Sequence, residues 1–338
     1  MIISKTPYRI SFFGGGTDYP SWCDHNIGEV LSTSIDKYIY LTCRVRKNYF
    51  DENFRIVWSK IENVKNVNLI KHNAVRKIFI NEKVKLPLEI HYDGDLPAQS
   101  GTGSSSSFVV GLTHILSTLK GNKINKYSLA EKSIFFEQKI LKETVGSQDQ
   151  VAASYGGFNN IIFKKKKFIA KPFVFKNKTK EILNENLLIM YLGVQRKTSN
   201  NIAKKYAKQL NSKSQLKNMQ SIYESVSIAK NYLIKDDVDS FGHLLGEVWE
   251  RKKELGRGIS NNLIDTIYNK AKKSGALGGK LLGAGGGGFF LFYVKKKDQK
   301  NFKKIFKNYI FTDFKFEKEG SQIIYDNEKK VNFQEKLI

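Results

Sequence analysis

The chain has 338 residues, 41% of them hydrophobic, enough for a large core and two domains. Its two cysteines, Cys23 and Cys43, are too few for a disulfide framework or a zinc site, and no apolar run approaches the length of a membrane span. The beginning, "MIISKTPYRI", carries no apolar signal core and no small-residue cleavage site, so the expectation is a reduced, cytoplasmic, soluble protein.

The net charge of +25 comes from 49 lysines and 8 arginines set against 32 acidic residues. Charge of that size permits nucleic acid, an anionic membrane or anionic small molecules as partners. Nucleic-acid readers favour arginine for base edges and interleave aromatics. Here lysine is scattered beside much Asn and Ile, and the runs at 164–167 and 295–297 read as solvated strand ends. Biased genome composition explains the excess better than a nucleic-acid site, although a basic nucleic-acid-binding module remains the rival of another class.

In chain order, residues 1–60 are β-rich, with "YRISFF" and "KYIYLTCRVR" as strands. "LPLEIHY" alternates, which puts Leu88, Ile90 and Tyr92 on one face. Helical spacing follows in Phe108, Leu112, Ile115, Leu116 and Leu119, with Gly121 placed to end that helix. The pair Ser128 and Glu131 predicts a capping box opening a second helix, whose apolar face carries Phe135, Phe136, Ile140 and Leu141. "FNNIIFKKKKFIAKPFVF" predicts a hairpin, and the charged segment 164–186 a domain junction. The second half predicts a strand at "LLIMYLG", helices near 198–211, 215–235, 238–253 and 260–274, and a strand after the last glycines. Strands and helices mixed in both halves make an α+β protein.

Three glycine-rich stretches stand far apart: "SFFGGGTDYP" (11–20), "PAQSGTGSSSSF" (97–108) and "GAGGGGF" (283–289). Together they suggest one anionic pocket assembled from distant parts of the chain. In the middle stretch, Gly101, Gly103 and serines 104–107 begin a helix, where free N–H groups and the helix dipole attract phosphate. No Walker A pattern occurs. The last stretch fits G-x-G-x-x-G, but the β-formers Phe289 to Val294 follow it, which argues against a Rossmann site. No H-R-D or D-F-G supports a protein kinase, and no G-x-S-x-G supports a serine hydrolase. The five histidines, at 25, 72, 91, 114 and 243, show no paired ligand spacing and read as structural.

Taken together the stretches resemble the GHMP family of small-molecule kinases, named for galactokinase, homoserine kinase, mevalonate kinase and phosphomevalonate kinase. "TPYRISFFGGGTDY" is similar to its first motif. Pro97, Gly101, Gly103, Ser104 and Ser105 match its phosphate loop, with Thr102 and Ser106 where the family has Leu and Ala. "GAGGGG", with Gly283, Gly285, Gly286 and Gly287, matches its third motif. "GGGTDYP", "GSQDQVAASYGGFN" and "GALGGKLLGAGGGGF" resemble the family's heptose 7-phosphate kinase subgroup, and fucokinase-like sugar kinases share much of the pattern.

The resemblance implies two domains, 1–175 of ribosomal-protein-S5-domain-2-like topology and 185–330 ferredoxin-like, with nucleotide and sugar in the cleft between them. It implies ATP and Mg²⁺ as cofactors and a sugar phosphate as substrate, with no nucleic acid or membrane partner, in a monomer or homodimer. Asp149 takes the place of the catalytic aspartate, where the residues alone allow a helix cap, and Arg9 that of a motif-one cation. Gly101, Gly103, Ser104, Ser105 and Ser106 would surround the ATP phosphates. Glu137 with Ser105, or else Ser104, would hold Mg²⁺, where a solvated helix charge is the plain alternative for Glu137. Gly16, Thr17 and Asp18 would contact the sugar, although "GTD" also suits turn capping. Arg196, in "LGVQRKTSN", is expected to clamp the sugar's distal phosphate.

Overall fold

A computed structural model of the chain describes residues 1–47, 49–193, 212–256, 258–331 and 333. Its elements, in chain order, are β1 (Ile2–Phe13), α1 (Pro20–Cys23), β2 (Gly28–Val45), β3 (Phe54–Val57), β4 (Ile61–Val64), α2 (Asn73–Asn81), β5 (Leu88–Gly94), α3 (Ser104–Leu119) and α4 (Lys126–Phe135). They continue with α5 (Gln148–Tyr155), β6 (Phe158–Lys164), β7 (Lys167–Pro172), α6 (Asn177–Asn186), β8 (Leu187–Tyr191), α7 (Lys213–Ile234), α8 (Val238–Lys253) and α9 (Asn262–Lys273). The last are β9 (Ala276–Leu281), β10 (Phe289–Val294), α10 (Gln299–Ile305), β11 (Ile310–Thr312), β12 (Phe316–Glu317) and β13 (Gln322–Asp326).

The strands form two sheets. The first runs β13-β1-β2-β5-β3-β4, with β12 and β6 also on β2 and β7 on β6; the second runs β11-β8-β10-β9. The strands β12 and β13 therefore return to the first sheet, so the expected second unit, 185–330, does not follow the sheets at its end. Residues 316–326 complete the first one. One apolar core joins the halves: Phe12 and Phe13 of β1 meet Phe241 of α8 with ring centroids 5.4 and 5.0 Å apart.

β1 is the strand on which the site is hung. It carries Pro7 without an N–H, and the β1–β2 register shifts there, between Pro7 and Tyr8. A second shift lies between Ser11 and Phe13, so Phe12 stands outside the ladder and its carbonyl is released from β2.

Helix α3 begins directly after Gly103 and ends before Gly121, which takes φ +79° as expected of a residue ending a helix. Helix α4 begins earlier than the capping box predicted. Asn125 is its cap, accepting from Ser128 N at 2.8 Å, because the Asn side chain reaches the free N–H first. The helix then widens into a π-turn over Phe136–Ile140, closed by Leu141 N donating to Phe136 O at 2.8 Å. The 164–186 segment, expected as a domain junction, forms a hairpin arm and α6. No helix among the described residues is long and apolar enough to cross a membrane.

Candidate active site

The phosphate loop lies between β5 and α3. Arg9 of β1 holds it twice: its backbone N–H donates to Thr102 O at 3.0 Å and its Nη1 to Gly101 O at 2.7 Å. The four serines have separate duties. Ser104 Oγ accepts from Gln99 N at 3.2 Å, Ser106 Oγ donates to Glu137 Oε2 at 2.7 Å, and Ser107 Oγ donates to Pro7 O at 2.9 Å. Ser105 alone of the four is exposed, and it lines the cleft. Glu137 is thus hydrogen-bonded to Ser106, while Ser105, the hydroxyl expected beside it at a metal, faces the cleft. One helical residue is about 100° of rotation, so a shift by one position changes which hydroxyl faces α4's extension.

Asp149 sits in the first turn of α5, where the helix dipole favours an acidic side chain. Arg9 grips it in fork-to-fork fashion, Nε to Oδ1 at 2.7 Å and Nη2 to Oδ2 at 2.8 Å. The arginine side chain is 4% exposed and the aspartate 24%, so the carboxylate faces the cleft and the guanidinium backs it. Asp149 also abuts the phosphate loop, its Oδ2 lying 3.4 Å from where a side chain on Gly103 would begin.

Asp18 is fully buried at the next turn of chain. Its carboxylate accepts from Gly16 N at 3.0 Å, Gln148 N at 3.1 Å and Gln148 Nε2 at 3.0 Å. Burial pushes its pKa up from the ordinary carboxylate value, while the backbone N–H donors oppose that shift. Through Gln148 it positions the neighbouring Asp149. Gly16 and Asp18 line the cleft, but Thr17 does not. Its hydroxyl is spent inside the motif, on Gly14 O at 2.8 Å and Glu29 O at 3.0 Å, so its expected sugar contact is corrected to a turn-fixing role.

Glu137 is buried on the π-turn, which rotates it inward while Phe135 stays 45% exposed. Ser106 and Gln150 Nε2 both donate to Oε2, and Oε1 has no hydrogen-bond partner among the described residues. Burial pushes the carboxyl up to about 8. No cluster of three or more His, Cys, Asp or Glu that could hold a metal occurs among the described residues.

The opposite wall comes from the second half. Gly283 and Ala284 line the cleft, together with Lys252 of α8 and Lys280 of β9. Of the other expected motif-three glycines, Gly285 packs on Ile259, and Gly286 and Gly287 face a separate hollow beside the start of α9, so the structure does not bring them to the cleft. The glycine run instead docks on the phosphate loop, where Phe289 N donates to Ser100 O at 3.0 Å. Arg196 lies outside the described residues. Sequence reasoning missed Ser11, Gln148, Gln150, Lys252 and Lys280. A lysine inside the otherwise apolar and glycine run "GALGGKLL" was the available signal for the last of these.

Comparison with known proteins decides the family. The profile for the GHMP kinases N terminal domain matches residues 68–157, and the GHMP kinases C terminal profile matches residues 229–309. The D-glycero-alpha-D-manno-heptose 7-phosphate kinase of Campylobacter jejuni is 30% identical over 334 residues, covering 94% of this chain and 97% of that protein. The chain belongs to the GHMP kinases. A galactokinase of Pyrococcus furiosus is 24% identical and covers 84% of this chain and 86% of its own length. The solved structure of a D-glycero-D-manno-heptose 1-phosphate kinase from Bacteroides thetaiotaomicron has a TM-score of 0.77 at 22% identity, over 97% of this chain and 100% of that one. It shows the shared two-domain fold.

This GHMP kinase is an ATP-dependent carbohydrate kinase. The first profile spans the phosphate loop, Glu137 and Asp149, and the second spans Lys252, Lys280 and the last glycine run. The cleft is therefore walled by residues from both halves of the family fold.

Proposed function

We propose that this kinase transfers the γ-phosphoryl group of ATP to the anomeric C1 hydroxyl of D-glycero-D-manno-heptose 7-phosphate, giving the 1,7-bisphosphate for GDP-heptose and surface polysaccharide synthesis. The likeness to the heptose 7-phosphate kinase of Campylobacter jejuni supports the substrate. The observation that carries the reaction is Asp149, held by Arg9 against the phosphate loop at the mouth of the cleft.

Phosphoryl transfer runs through a loose transition state, so positioning and charge do most of the catalysis. Amides of Gly101 to Ser106 at the start of α3 would surround the donor's phosphates. Asp149 orients the acceptor hydroxyl and takes its proton. Arg9 keeps Asp149 aimed and offsets charge that builds between donor and acceptor. Asp18, through Gln148, keeps the start of α5 in register.

The residues fit a magnesium ion. Glu137 presents a buried oxygen with no partner among the described residues, next to a serine hydroxyl, and Mg²⁺ takes one or two carboxylate or hydroxyl ligands while sharing phosphates and water. Glu137 and Ser105, the loop hydroxyl open to the cleft, would hold it, with Ser106 backing the carboxylate, and when bound it would neutralise charge on the donor phosphates. Glu137→Gln keeps the side chain's size and its hydrogen bonding to Ser106 while removing the charge. The Mg²⁺ concentration for half-maximal rate should rise about 100-fold, read by titrating Mg²⁺ at fixed ATP. An unchanged requirement would take the metal role from Glu137.

Coupled ADP release with Mg-ATP tests the substrate across heptose 7-phosphate, free heptose, fucose and galactose. The expected outcome is a kcat/KM for the 7-phosphate at least ~100-fold above the neutral sugars. Equal or better turnover of a neutral sugar such as fucose overturns the assignment and leaves a kinase for that sugar.

A further inference from the structure

Lys280 is as deeply buried in the cleft wall as Arg9, and the mechanism above does not use it. It lies on β9, 3% exposed, and donates from Nζ to Phe12 O at 2.6 Å. That acceptor is the carbonyl released by the bulge in β1. Among the described residues no carboxylate pairs with Lys280. Burial lowers its pKa well below the ordinary lysine value, and the charges of Lys252 and Arg9 push the same way. A buried ammonium with cations for neighbours is costly, and an apolar side chain would fill a β-strand interior without that cost. The arrangement makes sense if an anion enters the cleft there.

β1 orders the cleft. Arg9 meets the phosphate loop, Phe12 meets Lys280, and Gly15, Gly16 and Asp18 follow in the next turn. Three residues of strand put Lys280 about 10 Å beyond the loop that would take the donor phosphates. On this side of the cleft two more buried polar atoms have no hydrogen-bond partner among the described residues, Ser11 Oγ and Gln148 Oε1. They are neighbours, since a side chain on Gly15 would start 3.2 Å from Ser11 Oγ and 3.9 Å from Gln148 Oε1. Lys252 reaches in from α8, donating to Gly283 O at 2.5 Å.

We infer that Lys280 and Lys252 form a subsite for a phosphate monoester carried by the acceptor, with Ser11 and Gln148 on its hydroxyls, and that this subsite selects phosphorylated over neutral sugars. The inference rests on the reading of the acceptor as a sugar phosphate. It places that selection in the described cleft, independently of Arg196.

The test compares the wild type with Lys280→Met and, because a buried substitution can disturb folding, with Lys252→Met on the helix. Each is assayed for kcat/KM on heptose 7-phosphate and free heptose and for KM of ATP. Inorganic phosphate binding to the ADP-loaded enzyme is measured by calorimetry. Each variant should lower the ratio of phosphorylated to neutral kcat/KM by about 100-fold and leave KM for ATP within about 2-fold. Phosphate binding should weaken in parallel. A ratio that stays put, or a KM for ATP that rises as much as that for the sugar, overturns the subsite. If the wild type prefers a neutral sugar yet binds phosphate in a Lys280-dependent manner, the substrate reading and the selection are overturned and only the anion site at Lys280 stands. If phosphate fails to bind as well, both fall.

Discussion

Asp149→Asn should lower kcat by about 10³-fold while leaving ATP affinity near that of the wild type. The asparagine keeps the shape of the side chain and its place in the first turn of α5. It loses the charge that accepts a proton, and one of its two terminal atoms becomes an N–H donor facing the N–H groups of Arg9. The guanidinium, 4% exposed, is then left with half of its fork unmatched. Folding stability should also fall by roughly 3 kcal/mol, because one partner of a buried pair has gone. Single-turnover rates, a nucleotide-binding titration and urea unfolding separate the three effects. Turnover near the wild-type rate would remove Asp149 from the reaction, whatever the stability change.

That pair also shows what can be read from a sequence. Arg9 and Asp149 were each legible, because each stands inside a short patterned stretch where a charge is unusual. Their fork-to-fork contact was not, since it joins residues 140 positions apart. The phosphate loop was legible because close approach of backbone to an anion leaves glycine and serine behind. The duty of each serine was not, because four identical residues differ only in helical phase, and that phase depends on where α3 starts. The π-turn that turns Glu137 inward has no side-chain signature at all.

Lysine composition hid the opposite wall. With 49 lysines in the chain, Lys280 reads as one more solvated charge unless its surroundings are weighed, and those are buried strand. The strands β12 and β13 were missed for the opposite reason: they are short and largely exposed, so no alternation marks them. They are held by pairing with β2 and β1, a tertiary cause invisible to local pattern. Helices with a strong apolar stripe, such as α8 at Val238–Lys253, were read to the residue, since burial of one face is what stabilises them.

Gly288→Ala should raise KM for ATP at least ~10-fold and lower the melting temperature, although Gly288 itself does not line the cleft. Its φ is +97°, a conformation that L side chains rarely adopt, and an added Cβ would stand 2.2 Å from Ser100 O. Nothing soft lies in between. The contact is backbone, and Ser100 is also fixed by the hydrogen bond from Phe289 N at 3.0 Å. The loop must move, and with it Gly101 and Gly103. Gly275→Ala is the control. Its φ is +103°, yet the first atom a Cβ meets is Asp298 Cβ at 3.9 Å. That variant carries the backbone strain of roughly 1–2 kcal/mol without the collision, and should lose stability while keeping KM for ATP. If the two variants shift KM for ATP equally, the docking of the last glycine run on the phosphate loop does not set the donor's position. If only Gly288→Ala does, the last glycine of the run is explained: the second half of the chain lays its backbone against the loop that would hold the phosphates, and a side chain there has no room.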